Sequence, residues 1–285
     1  MAAVVNPALV QYCGLPCVEA RLPGGESVRV ALQGAQVLSW VAQGRERLYL
    51  SPRAQLDGHS AIRGGVPLCF PQFNERGPLP KHGFARNLTW SLMAAGQPPA
   101  DGTSVTLEFA LQDDAATRAI WPHGFELRFT VRLQPGGLQL ALAVMNTGAQ
   151  SLSFTGALHT YLAVQAIEQV RLAGLGGQPE SDAVRDVHGT GAEIIAPSGE
   201  FDRVYEAAAT PLLLSDGASR LQISQSTSLA HTVVWNPGAA RCSQLADMPP
   251  DGYRQMLCVE AANVFAPVDV QPGARWQGWQ ELRVA

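Results

Sequence analysis

A two-residue alternation between Phe125 and Leu133 is the feature that most constrains the fold of this chain. Every second residue in this run is apolar, and the residues between them are charged or hydroxylated. Successive side chains of a strand point to opposite faces, so the pattern predicts a strand with one buried face. The turn residues Pro135-Gly-Gly follow and lead into a second apolar run, 138–144. Together the two runs predict a β-hairpin.

Similar short runs, bounded by turn residues, recur along most of the chain. They lie at 27–32, 37–41, 47–50, 104–111, 152–155, 212–215, 221–224 and 231–235. The best helical pattern is a single short one, at 113–121. Many short strands with few helices predict an all-β, antiparallel sandwich. Since no linker, low-complexity tract or internal repeat interrupts the chain, we expect one domain spanning residues 1–285.

Composition excludes several classes of protein. Hydrophobic residues make up 46% of the 285 residues and charged residues only 15%, which favours a compact globule. A net charge of −4 does not favour nucleic-acid binding, which usually requires a basic surface. No apolar run is long enough for a membrane span, and the first residues do not resemble a signal peptide. The five cysteines form no CxxC pair, so we expect no disulfide scaffold and a cytoplasmic location.

The segment from Arg63 to Arg86 is not expected to form a regular helix or strand. It contains four prolines and the pair Gly64-Gly65, together with aromatic residues, a lysine and a histidine. A rigid, irregular loop that carries cations suits the binding of a small polar anion. The alternative is a surface loop with scattered charges.

Several motifs of this chain occur in the order typical of one known family. They are Arg63-Gly-Gly-Val-Pro, Phe70-Pro-Gln-Phe, His82-Gly-Phe-Ala-Arg, Leu158-His-Thr-Tyr, Phe201-Asp-Arg-Val-Tyr, Val234-Trp-Asn-Pro and Cys258-Val-Glu-Ala. In these motifs the chain resembles the hexose-6-phosphate mutarotases, the glucose-6-phosphate 1-epimerase branch of the aldose 1-epimerase superfamily. The resemblance runs from about residue 34 to the C-terminus, and it implies a large two-sheet β-supersandwich.

Two residues are candidates for acid/base chemistry. Glu260 lies in an apolar, strand-like run, where a carboxylate is expensive to bury unless it is paired or functional. His159 follows another apolar stretch and, from the residues alone, is more often structural. The resemblance implies that Glu260 is the general base and His159 the general acid of a reaction that opens and closes the sugar ring. We expect the two groups on opposite sides of that ring, with His159 protonated in the complex and no cofactor or metal required.

The resemblance also implies a set of substrate ligands. His82 would bind a sugar hydroxyl or the ring oxygen, and Asp202 would accept hydrogen bonds from hydroxyls unless it is only a turn or cap residue. Arg63 and Arg86 would clamp a phosphate, since guanidinium groups bind phosphate oxygens bidentately, although one of them could instead pair with an internal carboxylate. Lys81 could add a point charge, with a side chain that points to water as the equal alternative. The remaining candidates, predicted as pocket walls, are Gln72 and Trp235, the latter with a core position as its alternative.

The resulting prediction is an isomerase that interconverts the α and β anomers of glucose 6-phosphate or a close relative. We expect a monomer whose partner is a small sugar phosphate, with no nucleic acid and no membrane. Three alternatives stay open at this stage: a mutarotase for unphosphorylated aldoses, a non-catalytic sandwich that senses sugar phosphates, and a glycoside hydrolase. The last needs two positioned carboxylates, for which Glu260 and Asp202 are the candidates.

Overall fold

The computed structural model describes residues 5–95, 103–217 and 219–285, with 22 strands, two short α-helices and three single-turn 3-10 helices in those ranges. Strands β1–β8 are Val5–Tyr12, Leu15–Arg21, Ser27–Ala31, Val37–Ala42, Arg45–Glu46, Leu68–Cys69, Ser91–Ala95 and Val105–Gln112. Strands β9–β16 are Phe125–Gln134, Gly137–Asn146, Leu152–Leu158, Tyr161–Ala163, Val170–Ala173, Pro179–Asp182, Val187–Thr190 and Ile194–Ile195. Strands β17–β22 are Phe201–Glu206, Leu212–Asp216, Ser219–Gln225, His231–Asn236, Met256–Val270 and Arg275–Val284. Helices α1 and α2 are Ala115–Ile120 and Gly238–Cys242.

The strands of the described ranges form three antiparallel sheets. A small sheet has the order β1-β2-β3-β4-β5, and a nine-stranded back sheet has the order β16-β13-β18-β19-β22-β10-β9-β8-β7. The third, which we call the site sheet, has the order β15-β14-β17-β20-β21-β11-β6, with β12 also paired to β21. The all-β, antiparallel supersandwich is therefore confirmed, with the small sheet added to its two large ones.

The hairpin predicted from sequence alternation is present. Strands β9 and β10 pair in register along their whole length, and the apolar positions of β9 are fully buried while the positions between them are not. The predicted helix is also present as α1, where Asp114 accepts from the backbone N–H of Thr117 in a capping box.

The strand expected at 47–50 does not form. Leu48 and Leu50 make only isolated bridges, to Leu162 and Gly64, and the backbone N–H of Tyr49 donates to a carbonyl beside the cavity described below. This segment fails to become a strand because its neighbours on both sides are an irregular loop and a three-residue strand, which offer no continuous ladder.

One hydrophobic cluster joins the three sheets, with contributions such as Val30 from the small sheet, Phe129 from the back sheet and Val259 from the site sheet. Alternation along β21 directs Val259 and Ala261 into this cluster and Glu260 to the other face of the site sheet. That face, turned away from the main core, carries a cavity. None of the helices in the described ranges is long and apolar enough to cross a membrane.

Candidate active site

A cavity of about 320 Å³ opens on the outer face of the site sheet. Its wall includes eight of the nine residues that the sequence singled out, namely Arg63, Lys81, His82, Arg86, His159, Asp202, Trp235 and Glu260. These residues come from distant parts of the chain, and the fold brings them together because the site sheet places β17, β20, β21 and β12 side by side.

Strand register explains why several of these side chains share one surface. Asp202 of β17 lies opposite Trp235 of β20, Trp235 lies opposite Cys258 of β21, and Cys258 lies opposite Tyr161 of β12. Directly opposed residues of antiparallel strands have their side chains on the same face. The result is a row of four cavity-side residues that crosses the sheet, and Glu260 lies two residues along β21 from this row.

A two-residue gap between β11 and β12 places His159 beside Glu260. Strand β21 pairs with β11 on one side of the gap and with β12 on the other, so residues 159 and 160 oppose residues 259 and 260. Nδ1 of His159 lies 3.4 Å from Oε1 of Glu260. His159 is 7% exposed and Glu260 is 1% exposed. The two residues are thus cross-strand neighbours, side by side on the cavity wall, and no sugar ring fits between those two atoms.

A buried polar network beneath the wall supports this gap. Oγ1 of Thr160 donates to Oε1 of Gln280 at 2.5 Å, and Nε2 of Gln280 donates to the carbonyl of Val259 at 3.0 Å. The backbone N–H of Val259 donates to the carbonyl of Thr160 at 3.1 Å. Each bond fixes a residue adjacent to His159 or Glu260, so Gln280 of the back sheet positions the pair from below.

Burial changes the acid/base properties of Glu260. Desolvation, aided by the nearby carboxylate of Asp202, raises the pKa of Glu260 well above its ordinary value. Its Oε2 atom has no hydrogen-bond partner among the described residues. A carboxylate with a raised pKa and a free oxygen is a stronger base than a solvated one and can take a proton from a bound hydroxyl.

His159 has the opposite shift. Desolvation lowers its pKa well below the ordinary value, and the neighbouring His82, Arg86 and Arg63 contribute in the same direction. The carboxylate of Glu260 lies beside it, but the lowered pKa keeps the imidazole neutral. A bound anion would offset the two arginine charges and favour the protonated form.

His82 is held as a neutral hydrogen-bond donor. Its Nδ1 accepts the backbone N–H of Asn74 at 3.2 Å and lies 3.1 Å from the thiol of Cys69, so Nε2 carries the ring proton. Burial, followed by the charges of the nearby arginines and lysine, lowers its pKa to about 3. His82 itself has a φ of 62°, and at the following Gly83 a Cβ would lie 2.1 Å from the carbonyl oxygen of Phe70. The tight turn thus requires glycine next to the donor.

The cationic side chains of the cavity differ in how many hydrogen bonds and ion pairs they already make within the protein. Arg63 donates through Nε to Asp247 at 3.1 Å and through Nη1 to the hydroxyl of Tyr161 at 3.1 Å, so it already has an internal carboxylate. Within the described ranges, Arg86 donates only to the carbonyl of Lys81, at 3.0 Å. Among the described residues, neither Arg86 nor Lys81 pairs with a carboxylate, and the same holds for Arg241 of α2, a cavity residue that the sequence did not single out.

Comparison with known proteins identifies the family. The sequence profile described as Aldose 1-epimerase matches residues 16–283. This chain belongs to the aldose 1-epimerase family. As a family member it is an isomerase that interconverts anomers, as the motifs predicted.

Relatives within this family are similar over most of their length. A protein of Cenchrus ciliaris is 35% identical over 258 residues, covering 87% of this chain and 78% of that protein. One of Salmonella typhimurium is 36% identical over 250 residues, covering 83% of this chain and 80% of that protein. Both are named as candidate glucose-6-phosphate 1-epimerases.

Solved structures agree with the family and the fold. The crystal structure of a candidate mutarotase from Salmonella typhimurium superimposes with a TM-score of 0.90 at 31% identity, covering 100% of this chain and 96% of that one. A galactose mutarotase-related enzyme of Lactobacillus acidophilus shares the fold, with a TM-score of 0.72 at 15% identity over 98% of this chain and 97% of that one.

Within this aldose 1-epimerase, the remaining predicted ligands have distinct positions. Asp202 lies within β17 on the cavity wall, which is neither a turn nor a cap, and desolvation followed by the charge of Glu200 raises its pKa. Trp235 lines the cavity and packs edge-on against Tyr161 and His159, with ring centroids 6.1 and 6.3 Å apart.

Gln72 does not line the cavity. Its amide donates to the carbonyls of Asn74 and Leu79 and accepts the backbone N–H of Leu79, all at 3.0 Å. These bonds brace the loop behind the wall and occupy the groups that would contact a sugar. Sequence reasoning also missed two cavity residues that belong to no recognisable motif, Arg241 of α2 and Asp247 of the turns that follow this helix.

Proposed function

We propose that the substrate of this epimerase is a hexose 6-phosphate, and most specifically glucose 6-phosphate. One observation carries the proposal: the cavity that contains the Glu260–His159 pair also contains Arg86, Lys81 and Arg241, none of which pairs with a carboxylate in the described part of the chain. The names of the relatives, candidate glucose-6-phosphate 1-epimerases, support the same substrate.

The phosphate would be held by local charge. The protein as a whole has a net charge of −4, so attraction of an anion depends on a cluster of cations at the site. Arg86 offers a guanidinium fork, and charge-assisted bonds contribute about 1.5–3 kcal/mol each. Arg63 is partly committed to Asp247 and Tyr161, which leaves Nη2 for the ligand. We therefore assign the larger share of phosphate binding to Arg86.

Ring opening would use the Glu260–His159 pair. Glu260 takes the proton of the C1 hydroxyl, the bond between C1 and the ring oxygen breaks, and His159 gives a proton to the ring oxygen. Rotation about the C1–C2 bond and the reverse steps close the ring on the other face of the aldehyde. The C1 hydroxyl oxygen and the ring oxygen are both bonded to C1, so two neighbouring groups can reach both. Each group contributes about 10²–10⁴ in rate.

The pair needs a single proton to start this cycle. The proton can lie on His159, with Glu260 ionised, or on Glu260, with His159 neutral. The net charge of the pair is the same in both forms, so the two residues titrate as a unit. Burial favours the form with the proton on Glu260. A phosphate beside Arg63 and Arg86 favours the form with the proton on His159, which couples substrate binding to readiness for catalysis.

We also propose a cytoplasmic, single-domain, monomeric enzyme that needs no cofactor or metal. Five free cysteines support the reducing compartment, and the core shared by all three sheets supports the single domain. An acid and a base from the protein suffice for the chemistry, which supports independence from cofactors.

Anomer-exchange NMR tests the proposed substrate. Adding the protein should accelerate exchange between the anomers of glucose 6-phosphate far more than exchange between those of glucose. Equal acceleration of the two sugars would favour the unphosphorylated aldose as substrate. Binding of glucose 6-phosphate without any acceleration would favour a sugar-phosphate sensor.

A further inference from the structure

Three potential metal ligands meet at the site sheet: His159 and Glu260 line the cavity, and Cys258 is fully buried beside them. A ring nitrogen of His159, the thiol sulfur of Cys258 and a carboxylate oxygen of Glu260 all lie within 4.8 Å of one another. Cys258 and Glu260 are two residues apart on β21 and so point the same way, and His159 faces them from the gap between β11 and β12. The proposed chemistry uses His159 and Glu260 but gives Cys258 no task.

Two of these ligands have atoms without partners. Nδ1 of His159 and Oε2 of Glu260 make no hydrogen bond to any described residue, although both side chains are more than nine-tenths buried. An unsatisfied buried polar atom costs about 1–3 kcal/mol. The two atoms lie beside the buried thiol of Cys258, and a metal ion would accept an electron pair from each of the three side chains.

The spacing fits a small tetrahedral ion. Zinc binds nitrogen and oxygen at about 2.0–2.2 Å and sulfur at about 2.3 Å, so neighbouring tetrahedral ligands lie roughly 3.3–3.6 Å apart. Nδ1 of His159 and Oε1 of Glu260 are already 3.4 Å apart. Mixed imidazole, thiolate and carboxylate donors suit Zn²⁺, whereas Mg²⁺ and Ca²⁺ require six or more oxygen ligands.

We propose that His159, Cys258 and Glu260 bind one Zn²⁺ ion, and that the bound ion inhibits the enzyme. On binding, the Cys258 thiol releases its proton to solvent, Glu260 binds as a carboxylate and His159 binds through a ring lone pair. Two negative ligands neutralise the ion, and a fourth position faces the cavity. The metal occupies the lone pairs that would otherwise move protons, so inhibition is competitive with the sugar. Inhibition rests on the proposed function, but binding does not.

The surrounding charges are mixed. Arg63 and Arg86 face His159 and oppose a cation, but Arg63 is paired with Asp247. His82 is neutral, because its pKa is lowered to about 3 by burial and the neighbouring cations. The carboxylate of Asp202 lies near Glu260 and favours a cation. An anion at Arg86 would compensate the remaining charge.

Cobalt is the probe of choice, since thiolate-bound Co²⁺ has a charge-transfer absorption that other ligands do not give. Titration of the full-length protein with Co²⁺ should develop this band at one equivalent, and Zn²⁺ should remove it. The Cys258→Ser variant should lose the band and weaken inhibition by Zn²⁺ at least about 10-fold. As a matched control, Cys17→Ser, at a buried cysteine of the small sheet, should leave both unchanged.

Several results would overturn the proposal. An absent band in the wild type, or a band that persists in Cys258→Ser, would exclude the site. Unchanged inhibition in Cys258→Ser would place the inhibitory ion elsewhere. If Cys258→Ser does not fold, X-ray absorption at the zinc edge of the wild-type complex should show one sulfur ligand. A spectrum without a sulfur ligand would contradict the site. A protein that lacks anomerase activity but gives the band would refute the proposed function and leave the metal site standing.

Discussion

His159 and Glu260 are cross-strand neighbours whose Nδ1 and Oε1 atoms lie 3.4 Å apart, although a hundred residues of sequence separate them. The contact exists because a strand break between β11 and β12 falls opposite Glu260 in the ladder with β21. It makes the acid and the base one titrating unit, and the predictions below concern what surrounds this pair.

Replacing Arg86 by alanine should weaken the binding of glucose 6-phosphate but not the binding of glucose. Loss of a charge-assisted bond of about 1.5–3 kcal/mol corresponds to a roughly 10–100-fold rise in KM for the phosphorylated sugar. Arg86→Lys should restore only part of the loss, because a lysine lacks the fork. KM for both sugars is the measurement.

Arg203→Ala is the matched control for this experiment. Arg203 pairs with Glu180 and Asp182 and does not line the cavity, so its loss should leave both KM values unchanged. Equal losses for glucose and glucose 6-phosphate in Arg86→Ala would mean that Arg86 supports the scaffold.

His82 should make the protein sensitive to acid. Its pKa is about 3 when folded, against an ordinary value of 6.5, so the unfolded state binds a proton first as the pH falls. The stability it contributes is therefore present above pH 6.5 and is lost between about 6.5 and 3. His82→Gln should reduce the slope of unfolding free energy against pH by up to about 1.4 kcal/mol per unit in that window.

Chemical denaturation of both proteins across this pH range measures the difference. The comparison is needed because burial also lowers the pKa values of His159 and His231, so both of these groups contribute to each curve. His188→Gln, at an exposed histidine, is the control and should keep the wild-type slope. Identical slopes for His82→Gln and the wild type would contradict the neutral, buried His82.

Gln280→Leu should impair catalysis from beneath the site. The substitution removes both bonds to the gap, leaves the Thr160 hydroxyl and the Val259 carbonyl without partners, and should destabilise the protein by about 1–3 kcal/mol. Where the variant is still folded, kcat should also fall, because the His159–Glu260 contact is no longer fixed. Gln222→Leu, at an exposed position of β19, should change neither. A stability loss with unchanged kcat would limit Gln280 to a structural role.

Local patterns account for the parts of the fold that the sequence predicted well. The β9–β10 hairpin was predictable because its alternation and its turn lie within a few residues of each other. The segment 47–50 has the same apolar character, but whether it becomes a strand depends on partners far away in sequence. No local sequence pattern indicates whether those partners are present.

In the site, as in the fold, local features were predictable and features that depend on distant contacts were not. Motifs identified eight residues that line the cavity, because the chemical role of a side chain can be inferred from its residue type and its motif. Three features depend on contacts across the fold and were not predictable: which arginine pairs with which carboxylate, the hydrogen bonds of Gln72 within its loop and the tautomer of His82. The side-by-side arrangement of the catalytic pair likewise follows from strand register, which motif order does not contain.

The most direct test of the account is anomer-exchange NMR of Glu260→Gln at saturating glucose 6-phosphate. Glutamine keeps the shape of the side chain but cannot accept the proton, so the variant should remain folded, bind the sugar phosphate and exchange anomers about 10²-fold more slowly or worse. Exchange at nearly the wild-type rate by a folded, saturated Glu260→Gln protein would remove Glu260 from the mechanism and contradict the central claim.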